Sequence, residues 1–122
     1  MKHLANCTRR EFLKQAMLIR APFKAWLERT GIPAIRARRP EGFDDMTDDE
    51  KKEALILQSR DNLPEIISAA LEKDFDRSID ILCLATFTPP EEFDDHTLDE
   101  YIIAVMEMMN DPGVRHFFTL AL

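Results

Sequence analysis

Thr97-Leu98-Asp99-Glu100-Tyr101-Ile102-Ile103-Ala104-Val105-Met106-Glu107-Met108-Met109-Asn110 is the stretch on which the fold turns. Its threonine, with a glutamate three positions later, is the signature of a capping box. The hydroxyl accepts from the N–H three residues on, the carboxylate reaches back to the threonine N–H, and two helix-terminal donors find partners. Behind that start, Leu98, Tyr101, Ile102, Val105, Met106 and Met109 share one helical face, and Ile103 and Met108 widen the apolar arc beyond half the circumference. Such a helix carries more apolar surface than one neighbour covers. The Thr-x-x-Glu signature recurs at Thr8/Glu11, Thr47/Glu50 and Thr88/Glu91, so the chain reads as a series of helices along its whole length.

Working outward, Phe12, Ala16, Ile19, Phe23 and Trp26 form a stripe that stays in phase across Pro22. This predicts a basic first helix of about 20 residues, kinked or broken at Pro22 and stopped by Gly31, with Trp26 as a core anchor. The proline-bounded stretch 32–46 reads as a linker holding a turn or two of helix at most. After Thr47 a charged helix runs to about Arg60, and Asn62 and Pro64 restart or kink it. The run from Ile79 to Phe87 is apolar almost all round, so it is a central helix or a short buried strand, with helical neighbours favouring the helix. Thr88-Pro89-Pro90-Glu91 begins a helix of one or two turns, and Asp111-Pro112-Gly113 a last one that carries Val114, Phe117, Phe118 and Leu120. The expected fold is all-α: a compact bundle of about five to seven short helices, the first one long, in a single domain spanning 1–122.

The composition agrees, with 122 residues, 45% hydrophobic, 32% charged and only three glycines. Absence of a long apolar run or a signal-peptide pattern argues against a membrane and for a cytoplasmic location. Residues 1–40 hold ten Lys/Arg against two acids, a net of +8; residues 41–122 hold six against twenty-one, a net of −15. A basic helix lying beside acidic ones accounts for this layout, and so does a basic segment that faces an acidic partner. Nucleic acid is disfavoured as that partner, because the overall charge is −7 and no aromatic residues interleave the arginines.

No catalytic, cofactor or metal site can be read. Ser59, Ser68 and Ser78 lie in helical contexts without a nucleophile elbow, and Cys7 could act only if His3 or His96 approached it in three dimensions. Asp94-Asp95-His96 has ligand-type residues, but adjacent side chains diverge, and His116 stands alone in the last helix. Counted from Asp44, the sixth and twelfth positions are Asp49 and Leu55, which rules out an EF-hand loop. Cys7 and Cys83 form neither a disulfide framework nor a zinc motif.

The pattern Asn6-Cys7-Thr8-x-x-Glu11-Phe12-Leu13, the later Trp26-Leu27, and Asn110-Asp111-Pro112-x-Val114-x-x-Phe117-Phe118 resemble the small helical proteins encoded among bacteriophage or prophage tail genes, the tail assembly chaperones. The resemblance implies a non-enzymatic protein of the host-cell cytoplasm that binds the tape measure protein and helps deliver tail tube subunits. It identifies no binding residues. The residues themselves offer Ile103, Met106, Met108 and Met109 with Phe117, Phe118 and Leu120 as a partner-binding or self-associating surface, since unbranched methionines adapt to varied helices. Ordinary packing between the last two helices is the alternative use of the same residues. A second functional reading is a small acidic regulatory or adaptor domain, associated with nucleic acid through Arg9, Arg10, Arg36, Arg38 and Arg39.

Overall fold

The regular structure of the described residues is all helical. A computed structural model describes the backbone of residues 1–121 and the side chains of residues 1–119. Six α-helices, α1 (Arg9–Thr30), α2 (Ile32–Arg36), α3 (Asp48–Lys73), α4 (Phe75–Ala85), α5 (Leu98–Asn110) and α6 (Pro112–Ala121), are joined by 3-10 helices at Phe43–Asp45 and Pro90–Asp95, with no strand among the described residues.

Two capping boxes close as expected. The Glu11 N–H donates to the Thr8 hydroxyl and the Thr8 N–H to Glu11 Oε1, at 3.1 and 3.0 Å. Thr47 and Glu50 repeat the exchange, at 3.2 Å each way. At Thr97 the Glu100 N–H reaches the hydroxyl, while the Glu100 carboxylate is shared between Thr97 and the Nδ1 of His96. Thr88 does not cap. Phe87 takes a left-handed φ of 52°, and the Thr88 N–H donates to the Cys83 carbonyl five residues back, which is the Schellman way of ending α4. The Thr88 hydroxyl is thereby buried against Thr86, donating to its carbonyl, and the 3-10 helix that follows starts with no side-chain cap.

Neither internal proline ends its helix. α1 is continuous through Pro22, and α3 runs 26 residues through Pro64. Asn62 does not restart a helix either. Its side chain is buried, accepts from Gln58 Nε2 at 2.8 Å and donates to the Ile35 carbonyl at 3.1 Å, and so ties α3 to α2.

The chain divides into two compact units, one made of Met1–Ala25 and Asp76–Leu122, the other of Trp26–Phe75. In the first, Leu4, Ile19, Ala85, Ala104, Met108 and Val114 form a buried core flanked by Phe12, Phe23 and Phe118. In the second, Ile32, Ile35 and Ala69 are buried, with Trp26, Leu27 and Ile66 packed against them. The stretch read as a linker therefore supplies two of the three buried side chains of this smaller core. Ile32 and Ile35, three apart, share one face of the single turn that α2 contains. Gly31, with φ 71°, makes the sharp passage from α1 into it, where an L side chain is disfavoured.

Candidate functional site

In the first unit, α5 has an inner and an outer apolar face. Inward go Tyr101, Ala104 and Met108, all buried, at the i, i+3, i+7 spacing of one helical side. Tyr101 fixes the helix in place. Its hydroxyl donates to the Phe93 carbonyl at 2.7 Å, its ring stacks on Phe93 with centroids 4.6 Å apart, and burial pushes its pKa up. At the other end, the Asp111 side chain accepts from the Val114 N–H at 2.9 Å and starts α6.

Outward go Leu98, Ile102, Met106 and Met109, at spacings of four, four and three, each between 47 and 73% exposed. That is a continuous apolar stripe along the length of the helix, with Ile103 beside it, also exposed. One border of the stripe is acidic. Asp99 and Glu100 lie in the first turn, and Glu107 lies two turns on. A shallow recess of about 180 Å³ opens there, lined by Met1, His3, Glu100, Ile103, Ala104 and Glu107.

The wall of that recess is tied down from the N-terminus. His3 is buried, and its Nδ1 accepts from the Ala5 N–H at 3.1 Å, so Nε2 carries the proton and donates to Glu107 Oε2 at 2.5 Å. Glu100, which accepts from His96, is held below the ordinary carboxylate range by that hydrogen bond first of all.

The surface expected from sequence is thus divided. Ile103, Met106 and Met109 are exposed on α5. Met108 is enclosed in the core at 7% exposure. Phe117 and Phe118 are half-buried: Phe117 meets Phe12 edge-on at 5.4 Å, and Phe118 lies 4.8 Å from Phe23. Both serve the packing of α6 on α1. The Leu120 side chain lies outside the described residues. Leu98 and Ile102, which sequence put on the apolar face of α5 but not among the expected partner-binding residues, complete the exposed stripe in place of Met108. The one available clue was Ala104, whose small side chain marks where a helix can approach its core closely.

Among the described residues no hydrogen bond joins Cys7 to His3 or His96. The Cys7 thiol is bonded to the Leu4 carbonyl at 3.6 Å, and Cys83 is buried, its pKa raised by that burial. His116 is exposed on α6. Among the described residues no three His, Cys, Asp or Glu side chains are grouped to hold a metal ion. Of the arginines considered for nucleic acid, Arg38 pairs in two-pronged fashion with Glu65, and Arg39 donates to the carbonyls of Arg36 and Arg38 and lies over the Phe43 ring. No described helix is long and apolar enough to cross a membrane.

Compared with protein-family models, with curated proteins and with solved structures, the chain matches none.

Proposed function

We propose that this protein is a helix-binding chaperone of the phage tail assembly kind, which holds an amphipathic segment of a tape measure or tail tube partner against the outer face of α5. The observation that carries the reading is the stripe of Leu98, Ile102, Met106 and Met109, four large apolar side chains in line and open to solvent. Its two methionines suit a surface that accepts more than one helical sequence. An apolar stripe on a rigid helix matches the helix-in-groove mode, in which a partner contributes anchors at i, i+3, i+4 and i+7. Asp99, Glu100 and Glu107 along one border add a preference for partner helices that carry Lys or Arg beside their apolar anchors. The resemblance of the Asn6–Leu13 and Asn110–Phe118 patterns to tail assembly chaperones supplies the class of partner.

The test is co-expression with a tape measure protein from the same phage-type gene neighbourhood, followed by pull-down. Wild-type chain is expected to capture it, and Ile102→Asp or Met106→Asp, both at exposed positions, to lose capture while keeping the wild-type circular dichroism spectrum. Undiminished capture by both variants would remove α5 as the binding face.

A further inference from the structure

The same unit carries a second apolar face, on α1, and its charge is opposite. Leu13, Met17 and Leu18 are 52 to 74% exposed, and at about 100° per residue Lys24, Arg10 and Lys14 fall between them around the helix. Around them stand Arg10, Lys14, Arg20 and Lys24, all exposed, none paired with an acid among the described residues. The α5 stripe, bordered by Asp99, Glu100 and Glu107, is its electrostatic counterpart. Two α1 faces would repel one another, and so would two α5 faces. An α1 face meeting an α5 face matches apolar to apolar and cation to anion.

We propose that the chain associates with itself by seating the outer face of α1 of one copy on the outer face of α5 of a second copy. Charge complementarity selects this occupant. The basic, methionine-bearing face that the α5 border calls for is already present on every copy, in the same compact unit, so each copy both offers a helix and receives one. Where the two contacts close on each other they double the buried area, toward the roughly 1,200 to 2,000 Å² typical of stable interfaces. Occupied in this way, the α5 stripe is shielded from unspecific contacts until a client helix displaces the second copy. The pairing itself does not rest on the client reading: it is measured with purified chain alone, so failure to capture a tape measure protein leaves it standing, and a monomeric result leaves the client reading standing.

Sedimentation velocity on the purified full chain tests the proposal. The wild type is expected to sediment above the 14.2 kDa of one chain and to shift toward it as salt screens the facing charges. Arg10→Glu with Lys14→Glu on α1, and Asp99→Lys with Asn110→Lys on α5, are each expected to give monomers, because the reversed pair then meets like charge in every contact and the remaining attraction is offset. Mixing the two variants restores complementarity in every contact between unlike copies and is expected to restore the heavier species. Met17→Asp, a single change at an open position, should also give a monomer with unchanged circular dichroism, and guards against misfolding of either double variant. A wild type that stays monomeric at low salt overturns the proposal, including the case in which α5 then binds a foreign basic helix. So does a mixture that stays monomeric, or association indifferent to both charge reversals.

Discussion

Glu100 does three jobs at the head of α5: its N–H meets the Thr97 hydroxyl, its carboxylate accepts from His96, and its charge borders the apolar stripe. Because the His96 hydrogen bond lowers its pKa, its share of stability is present above the ordinary glutamate pKa and drains away as pH falls through the lowered value. His96→Ala is expected to move the Glu100 midpoint up toward the ordinary range in a carbon-detected NMR titration. An unmoved midpoint would mean that Thr97 and the helix terminus alone set it. The threonines make a second comparison possible. Thr47→Ala removes a complete capping box and should destabilise the chain by about 1 kcal/mol in urea denaturation. A loss well below that would show that the closed box contributes little. Four Thr-x-x-Glu signatures look alike in sequence, yet Thr88 escapes its helix because Phe87 adopts left-handed backbone, a choice no residue type announces when the residue is not glycine.

At the scale of elements, helix existence was legible and helix continuity was not. Apolar phase maintained across Pro22 pointed to one helix with a kink and left a break as the alternative, and the continuous α1 shows that the shared face outweighed one missing backbone bond. At Pro64 the sequence pointed to a restart or a kink, the restart because Asn62, a residue with strong capping preference, stands two positions before it. The asparagine is occupied elsewhere, holding the Ile35 carbonyl from a residue distant in sequence, and such a contact leaves no local trace. An exposed proline inside a continuous helix forfeits a hydrogen bond without supplying packing in return. Pro64→Ala should therefore stabilise the chain by about 1 to 3 kcal/mol, read as a raised urea midpoint with the slope unchanged. Destabilisation would mean that α3 needs the bend that proline imposes. On α5 the apolar arc was legible in full, but its inward half was not. With more than half the circumference apolar, periodicity fits several orientations, and the buried Ala104 and Met108 decide among them.

For the whole molecule, the charge division by sequence is not the division in space. The unit of residues 1–25 and 76–122 holds eight Lys/Arg against eleven acids, and the unit of residues 26–75 eight against twelve, so their nets are −3 and −4. Each basic stretch is folded in with acidic ones, and each unit is close to neutral, which limits the self-repulsion that a +8 segment would otherwise carry. Hydrophobic spacing reveals which faces are buried but not which buried faces meet, so the separation into two buried clusters leaves no mark in it. The two cores share no residue, Ile19 belonging to one and Ile35 to the other. Truncating either isoleucine to alanine should remove about 2 to 5 kcal/mol from the unit whose core it fills. Hydrogen exchange read by mass spectrometry should then show Ile19→Ala loosening residues 1–25 and 76–119 first, and Ile35→Ala loosening residues 26–75 first, because local opening follows the contacts that were lost. If each variant instead raised exchange evenly along the chain, the two cores would be opening as one cooperative body, and the faces of α1 and α5 could not stay formed while the smaller unit opens.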